Sequence, residues 1–526
     1  FKHSKPNYAP NAMVVTPHHL ASQSALSILQ DGGTAMEAMV AAAATISVVY
    51  PHMCGIAGDG FWLIVPPNGE PFVIEACGAA GSLATKKFYA QDKEIPSRGP
   101  KSANTVAGAV GGWREALDYS IECGYRKKSL SKLLADAIRY AEHGYPVTPG
   151  QVGATKSIKP YASDSFSKVF ISDDRIPTVG EKFQQPLLAE TLKKLVEDGL
   201  DSFYRGNLAK TIAADMSSVG IPITKSDLSS YHPVRRQPLR LLHGNNELYN
   251  LPPPTQGLVS LSILGILAHL KIDGTDEGKF IHHAVEATKI AFELRDKYIT
   301  DPNEVKVHVP GLLSQIPSLA SKIDPNVASK IGKGKGPGDT VWMGVMDKRG
   351  FCVSYIQSIY HEFGSGVLLP ETGMLWHNRG ILFSLDETSI LALKPGKKPF
   401  HTLNPAAAKL SDGRIMIYGT RGGDGQPQTQ AAIFHRYVVQ GIPLQASVTL
   451  PRWIFGSRTR TDCDTLKLEG RFCEKTVEYL KERGHKVEIV DAFSNEVGTA
   501  GALVRHPDGM LEGAFDPRGH GSAVGF

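Results

Sequence analysis

The chain has 526 residues, of which 42% are hydrophobic and 21% are charged. This length exceeds the usual limit for one hydrophobic core, and the composition excludes a mostly disordered chain. The formal net charge of +5 is small for this length and the basic residues are dispersed, so nucleic acid is not an expected partner.

No apolar run reaches the roughly twenty residues that a membrane-spanning helix needs, so no membrane segment is expected. The six cysteines include no C-x-x-C pair, which is typical of buried free thiols in a reducing compartment, although Cys463 and Cys473 could still pair. The sequence begins with FKHSKPNYAP, which has no signal-peptide core and no initiator Met. The sequence therefore leaves open whether a leader peptide has been removed. We expect a cytoplasmic protein.

The N-terminal part predicts helices and a hairpin. Residues 18–49 predict two helices separated by a Gly-Gly stop, and the second is Ala-rich enough to be buried on all sides. Residues 60–76 contain two apolar runs joined through Pro-Pro-Asn-Gly, which predicts a hairpin. Apolar residues at three-four spacing predict a largely helical layer over 129–216 and an amphipathic helix over 277–298. The apolar stretch 257–270 predicts a buried helix.

The C-terminal part predicts mainly strands. A low-complexity tract, 331–339, is the best candidate for a flexible linker. Beyond it, TVWMGVMD and FCVSYIQS predict a strand, a turn and a strand. GRIMIYGT and GALVRHPDGMLEGAF add further strands around one late helix, KTVEYLKERG. The α/β content without a βαβ rhythm favours layered sheets with helices outside.

Three familiar motifs are weak or absent. The glycines of GIAGDG, residues 55–60, precede a strand rather than a helix, which favours a backbone turn over a nucleotide cradle. His282, His283 and Glu286 lack the H-E-x-x-H spacing of a zinc site, so surface or packing histidines are expected and no metal or cofactor is predicted. The absence of G-x-S-x-G disfavours a classical serine hydrolase.

Three other features allow two interpretations each. Thr340 begins a strand after a loop, and it could equally become a new N-terminus if the Asp339–Thr340 bond cleaves itself, with its α-amine as the base. Gly422 and Gly423 follow a strand and form either a turn or a pair of oxyanion donors. Arg379 lies in an apolar run, as a surface residue or as a buried carboxylate clamp.

Several ordered motifs resemble the γ-glutamyltranspeptidases, which are N-terminal-nucleophile hydrolases. The resemblance covers nearly the whole chain, and the shared order of the motifs makes it specific. The motifs are DGGTAMEAMVAAAATISVVYPHMCGIAGDGFWLI, LDSFYRGNLAKTIAADM, YNLPPPTQG, ELRDKYITDP, DTVWMGVMDKRG, FGSGVLLPETGMLWHN, GTRGG and GAFDPRG.

The resemblance implies a four-layer αββα sandwich and a proenzyme that cleaves itself between Asp339 and Thr340. The products would be a large subunit, 1–339, and a small subunit, 340–526, which build one joint core. The resemblance leaves open whether two such heterodimers form a dimer.

The resemblance also implies the catalytic residues. Thr340 aligns with the family nucleophile, whose hydroxyl forms an acyl-enzyme that water or an amine releases. Gly422 and Gly423 align with the oxyanion-hole pair. Ser358 takes the place of a threonine that supports the nucleophile by hydrogen bonding.

The residues that bind a γ-glutamyl group in this family are nearly all replaced. The early stretch EACGAAGSLATKKF lacks the arginine of the family. The other replacements are Tyr360 for an asparagine, Arg379 for a glutamine, Leu382 for an aspartate, and His401 and Thr402 for a serine pair. The changes remove the counter-charge of an ammonium group and add a cation that can hold an anion.

The sequences QSIYHEFGSGVLLPETGMLWHNRG and PFHTLNP resemble the oxamate amidohydrolase branch of the family. This resemblance implies hydrolysis of a small carboxylated amide, oxamate to oxalate and ammonia, in purine-derived nitrogen recovery. Arg379 would hold the carboxylate, with Tyr360, Asn378, His401 and Thr402 around it. The alternatives are a γ-glutamyl hydrolase or transpeptidase, a cephalosporin or glutaryl acylase, and an uncleaved binding protein.

Overall fold

Two seven-stranded antiparallel sheets form the centre of this computed structural model. The structure describes residues 7–125, 127–171, 175–336, 338–456 and 464–526. The strands of the first sheet, in spatial order, are β1 (Asn7–Ala9), β18 (Leu511–Phe515), β17 (Ala500–Arg505), β13 (Ile415–Thr420), β12 (Ala406–Lys409), β9 (Asn246–Asn250) and β8 (Leu239–His243). Those of the second sheet are β19 (Ser522–Gly525), β2 (Met13–Thr16), β10 (Asp339–Met346), β11 (Cys352–Tyr360), β3 (Asp59–Val65), β4 (Phe72–Ala76) and β7 (Val234–Arg236).

Helices cover the outer face of each sheet. Those on the second sheet are α1 (His19–Gln30), α2 (Ala35–Val49) and α3 (Ala109–Glu122), and the adjoining helical layer has α4 (Leu130–Leu133), α5 (Ala135–His143), α6 (Pro149–Ile158), α7 (Asp164–Phe170), α8 (Pro186–Asp198), α9 (Ser202–Arg205), α10 (Asn207–Val219) and α11 (Lys225–Ser230). Those on the side of the first sheet are α12 (Gly257–His269), α13 (Glu277–Tyr298), α14 (Val309–Leu313), α15 (Ile316–Ala320), α16 (Gly425–Phe434) and α17 (Leu444–Thr449).

Two smaller sheets complete the fold. A three-stranded sheet of β14 (Trp453–Phe455), β15 (Leu466–Glu469) and β16 (Val487–Val490) packs with α18 (Glu474–Glu482), and β5 (Tyr145–Pro146) pairs with β6 (Lys182–Phe183).

The alternation of side chains along β10 shows how the layers arise. Val341, Met343 and Val345 pack into the core under α1 and α2, whereas Trp342 and Met346 pack into the core between the two sheets. Successive side chains of a strand point to opposite faces, so a strand that is apolar throughout is buried on both sides. The result is an αββα sandwich, which confirms the predicted fold class.

Most predicted elements are confirmed, including the two N-terminal helices, the β3–β4 hairpin, α12, α13 and the β10–β11 pair. The expectation of one late helix was wrong, because α16 and α17 precede α18. All ten residues of α16 are buried, so this helix has no polar face and no amphipathic period to reveal it.

The expectation that the cysteines are buried needs correction for two of them. Cys54, Cys77 and Cys352 are buried free thiols as predicted, but Cys123 and Cys473 are exposed. The suggested pairing of Cys473 involves Cys463, which lies outside the described residues.

Within the described ranges, no helix combines the length and the apolar character that membrane crossing requires.

Candidate active site

Thr340 lies near the start of β10, between the two sheets. The register of β10 against β11 shifts between Asp339 and Val341, so Thr340 occupies a β-bulge. Its side chain is 1% exposed, and its Oγ1 has no hydrogen-bond partner. Bulges turn a side chain away from the regular ladder and are common beside active sites. Thr340 therefore presents a hydroxyl that no competing hydrogen bond restrains.

Ser358 contacts the peptide bond that joins Asp339 to Thr340. Its Oγ donates a hydrogen bond to the carbonyl oxygen of Asp339 at 2.6 Å and accepts one from the backbone N–H of Tyr360 at 2.8 Å. The second contact fixes the direction of the hydroxyl proton. Ser358 can therefore polarise this carbonyl and stabilise an oxyanion that forms on it.

The residues before the bond are held firmly. Arg421 Nη1 donates to Asp339 Oδ1 at 3.0 Å. Gly338 passes between Tyr360 and Gly423, since a Cβ on Gly338 would lie 3.1 Å from the Tyr360 ring and 3.3 Å from Gly423 Cα. A cavity of only ≈ 30 Å³ remains beside this segment. The chain ahead of Thr340 thus fills the space next to the nucleophile.

The predicted oxyanion pair lies on the opposite sheet, directly after β13. Gly422 has φ +121° and Gly423 φ +54°, values that side-chain-bearing residues rarely adopt, so the turn requires glycine at both positions. The Gly423 carbonyl accepts a hydrogen bond from Gln256 Nε2 at 2.8 Å, which restrains the turn.

Arg379 is a buried residue, 1% exposed, and not a surface one. Its Nη1 donates to Thr402 Oγ1 at 3.0 Å, its guanidinium carbon lies 4.0 Å from the centre of the Tyr360 ring, and its Nη2 has no partner. Burial lowers the pKa of Arg379 to about 10, which still leaves a cation at neutral pH. A buried guanidinium with an unused N–H edge can bind a carboxylate.

The other predicted pocket residues differ in their contacts. His401 is fully buried, both of its ring nitrogens lack partners, and burial holds its pKa well below the ordinary value, so the ring is neutral. Asn378 uses its amide on the protein itself, because its Oδ1 accepts from His361 N–H and its Nδ2 donates to the Ser97 carbonyl. Asn378 thus supports the loop that carries Arg379.

Sequence reasoning missed Asp59, the acidic residue of GIAGDG. Asp59 pairs with Ser358 across β3 and β11, so their side chains share one face of the sheet, with Cβ atoms about 5 Å apart. Gly58 is needed for close approach, since a Cβ there would lie 2.2 Å from the Ser358 carbonyl oxygen. The sequence signal for this residue was an acidic side chain among glycines that pack closely. The interpretation of the stretch as a backbone turn gave Asp59 no role.

Sequence reasoning also missed Gln256. Its Nε2 donates to the carbonyl of Thr402 at 3.0 Å and to that of Gly423 at 2.8 Å. One buried amide thereby connects the loop that contacts Arg379 with the glycine turn of the other active-site loop. No local pattern could reveal this role, because the two carbonyls lie far along the chain from Gln256.

One group of residues in the described ranges has metal-ligand spacing. Ligand atoms of His282, Glu286 and His485 lie within 4.8 Å of one another. However, His282 is hydrogen-bonded through both ring nitrogens, and Glu286 accepts from Lys289 Nζ at 2.7 Å. The ligand atoms of His282 and Glu286 thus already have hydrogen-bond partners within the protein, and the histidines are buried packing residues.

Comparison with known proteins supports the hydrolase geometry. The family model described as Gamma-glutamyltranspeptidase matches residues 21–526. The chain is 56% identical over 524 residues to the oxamate amidohydrolase proenzyme of Klebsiella pneumoniae subsp. pneumoniae, covering 99% of both chains. It is 38% identical to the glutathione hydrolase-like YwrD proenzyme of Bacillus subtilis, covering 98% of both. The crystal structure of cephalosporin acylase from Bacillus halodurans matches with a TM-score of 0.91 and 33% identity, over 99% of this chain and 97% of that one.

Proposed function

Because the chain belongs to the gamma-glutamyltranspeptidase family, we propose that it is a self-processing amidohydrolase whose substrate is oxamate, cleaved to oxalate and ammonia. The family supplies the hydrolase class and the N-terminal nucleophile. The proposal for the substrate rests on this chain's own pocket and on its similarity to a protein named for that reaction.

Self-cleavage begins with attack of Thr340 Oγ1 on the carbonyl carbon of Asp339. The C–N bond to Thr340 breaks, its nitrogen takes up a proton, and an ester forms between Asp339 and the threonine hydroxyl. Ser358, which donates to the carbonyl oxygen at 2.6 Å, stabilises the oxyanion. Water then hydrolyses the ester, which leaves Asp339 as a carboxyl terminus and Thr340 with a free α-amine.

The freed Thr340 then carries out the amide hydrolysis. Its α-amine accepts the hydroxyl proton while Oγ1 attacks the amide carbon of the substrate. The leaving nitrogen takes the proton and departs as ammonia, and water hydrolyses the acyl-enzyme to the second carboxylate. In this proposal, backbone N–H groups of the turn at Gly422 and Gly423 stabilise the oxyanion of both steps.

The observation that carries the substrate assignment is Arg379. A buried cation with a free N–H edge suits a substrate that presents a carboxylate next to the reacting amide. Oxamate has few non-hydrogen atoms, and at a ceiling of about 1.5 kcal/mol per atom one charge-assisted contact must supply much of the affinity. A bidentate arginine meets that demand.

The first experiment compares the wild type with Thr340→Ala by intact mass and by ammonia release from oxamate. We expect two fragments from the wild type, with Thr340 as the new N-terminus, and steady ammonia release, because one hydroxyl carries out both reactions. The variant should stay a single chain without activity. A wild type that cleaves itself and releases the amine from γ-glutamyl or glutaryl amides, but releases no ammonia from oxamate, would overturn the substrate assignment.

A second experiment changes the carboxylate site. Arg379→Ala should raise KM for oxamate roughly 10- to 100-fold, because a hydrogen bond to a charged group contributes about 1.5–3 kcal/mol. Self-cleavage, read from the same mass spectra, should stay intact since Arg379 does not contact the Asp339–Thr340 bond. Arg379→Lys, the matched control, keeps the charge but loses bidentate geometry and should fall between the two. An unchanged KM in the alanine variant would remove Arg379 from the pocket.

A further inference from the structure

Behind the nucleophile lies a cluster of buried polar groups, of which the proposed reaction gives a role only to Arg379. Asp59, His377, His401 and Arg379 are each at most 1% exposed. Five of their polar atoms have no hydrogen-bond partner, namely Asp59 Oδ2, His377 Nδ1, both ring nitrogens of His401, and Arg379 Nη2. Unpaired buried polar groups are costly, so such a cluster marks a place where a ligand or a proton completes the pairing.

The hydrogen bonds around His377 fix its tautomer. His377 Nε2 lies 3.0 Å from the carbonyl oxygen of Thr105, which can only accept, so Nε2 carries the proton. In the neutral ring, which burial favours by lowering the pKa of His377 to about 3, Nδ1 is then a lone pair. This lone pair faces Asp59 Oδ2 at 3.4 Å. Two lone pairs repel, so a proton on Asp59 improves the contact.

Asp59 also interacts electrostatically with Arg379, without a direct ion pair between the two side chains. Burial raises the pKa of the Asp59 carboxyl to about 7, and Arg379 opposes this rise, as do hydrogen bonds from the backbone N–H groups of Gly108, which donates to Oδ1, and of Gly78. Asp59 in turn favours the cationic form of Arg379, whose pKa burial lowers. Asp59 thus changes charge near neutral pH.

Groups on several other elements interact electrostatically with Asp59. Those that are charged or can become charged are Arg379, Lys398, His377, His401, Cys77, Tyr204, Tyr231 and Tyr355. Burial raises the pKa of the thiol and of the three tyrosines, so these four stay neutral near pH 7. Lys398 is already paired with Glu75. Arg379 is therefore the cation whose charge Asp59 balances.

We propose that Asp59 is the counter-ion of Arg379 in the empty pocket and takes up one proton when a substrate carboxylate binds to Arg379. The substrate carboxylate replaces the Asp59 carboxylate as the anion of the pocket, so the net charge near Arg379 does not change. The proton comes from solvent on binding and returns to solvent when the carboxylate product leaves. This inference rests on the proposed role of Arg379 as the carboxylate site.

This exchange has a consequence for specificity. An ionised Asp59 competes with the substrate for Arg379, so carboxylate affinity falls as the pH rises above the pKa of Asp59. The same exchange disfavours substrates that bring an ammonium group, since protonated Asp59 offers no counter-charge. A pocket for a small anionic amide needs neither an ammonium site nor a permanent aspartate.

The test is calorimetric binding of oxalate to the cleaved enzyme in buffers of different ionisation enthalpy. With an Asp59 pKa of about 7, linkage predicts uptake of about 0.5 proton at pH 7 and about 0.9 at pH 8, with affinity about tenfold weaker per pH unit well above pH 7. Asp59→Asn keeps the Oδ1 acceptor for Gly108 N–H, and it should bind oxalate without proton uptake and without this pH dependence.

The controls separate this inference from the function itself. Asp215→Asn changes another buried carboxyl with a raised pKa, one that accepts from Glu371 and Thr372 outside the pocket, and it should keep the wild-type proton uptake. Self-cleavage reports folding of both variants. Equal uptake in wild type and Asp59→Asn, no uptake in the wild type, or no oxalate binding overturns the inference. If one of these results is found while oxamate is still hydrolysed, the proposed role of Asp59 is wrong and the proposed function stands. If oxalate binds with proton uptake but oxamate is not hydrolysed, the proposed function is wrong and the role of Asp59 stands.

Discussion

Ser358 shows how one side chain can serve the nucleophile before the nucleophile is free. Its hydroxyl accepts from the Tyr360 backbone N–H and donates to the Asp339 carbonyl, so its proton has a single direction. Tyr360 reaches this position with φ +76°, a left-handed conformation that is uncommon for a residue with a side chain. Backbone strain of this kind persists where the surrounding structure holds it, as is frequent in active sites.

This contact predicts how self-cleavage depends on Ser358. Ser358→Ala removes one oxyanion donor, which costs about 10²- to 10³-fold in rate in comparable hydrolytic sites, so cleavage should slow by about that factor. Ser358→Thr keeps the hydroxyl and should cleave nearly as fast as the wild type. The measurement is the fraction of intact chain against time by mass spectrometry. Equal cleavage rates in the alanine variant and the wild type would contradict the assigned role.

The start of α12 ties together two active-site loops that come from different parts of the chain. Gln256 immediately precedes this helix, and its backbone N–H bonds to the His401 carbonyl while its side chain bonds to the Thr402 and Gly423 carbonyls. A helix is a rigid support, so the distance between the Arg379 side of the pocket and the glycine turn is set by α12.

Gln256→Leu should therefore misplace both loops. It leaves the buried Thr402 carbonyl without its donor and leaves the Gly423 carbonyl with only the Gln426 backbone N–H, so we expect about 1–3 kcal/mol less stability and at least tenfold lower kcat/KM. Gln185→Leu is the matched control, because Gln185 Nε2 bridges the Val48 carbonyl and the Tyr145 hydroxyl in the helical layer. The control should lose stability in urea denaturation without a comparable loss of kcat/KM. Parallel losses in both variants would make Gln256 merely structural.

A buried ion network joins the small three-stranded sheet to the first large sheet. Arg452 donates to Asp516 and to the Gly498 carbonyl, and Arg518 bonds to both Asp516 and Glu469. Gly498 in turn packs against Gly422, with a Cβ on Gly422 only 3.7 Å from Gly498 Cα. The network therefore supports the glycine turn from behind as well as the junction of the sheets.

Asp516→Asn should destabilise the whole molecule. Burial by itself raises the pKa of Asp516, but Arg452, Arg518 and backbone N–H groups outweigh it and hold the pKa below the ordinary value of 3.8. Its stabilising contribution is thus present above that value and is lost as the pH falls through the lower folded pKa. Breaking a buried pair costs about 3–5 kcal/mol.

Denaturation in urea at pH 7 measures this loss. The control is Asp412→Asn, an exposed carboxylate that pairs with the half-buried Arg414, and we expect a change of less than about 1 kcal/mol there. A similarly small change for Asp516→Asn would contradict a structural role for the network.

From its sequence, the chain could be placed in a hydrolase family with an αββα fold, and Thr340, Gly422, Gly423 and Arg379 could be singled out. These predictions depend on ordered motifs and on local alternation of apolar residues, and both are properties of the linear chain. The sequence did not predict three other features: the bulge at Thr340, the burial of Arg379, and α16, which has no amphipathic pattern. These features depend on which strands pair and which faces of the elements meet.

Asp59 and Gln256 show the same division most clearly. Each looks like part of a local feature, a glycine turn in one case and the start of a helix in the other. Asp59 meets Ser358, 299 positions later in the chain, through sheet pairing, and Gln256 meets Gly423 through packing of a helix against the first sheet. Local sequence determines what a segment can form, whereas long-range pairing and burial decide which charges face each other. Only the folded chain therefore reveals a counter-ion for Arg379.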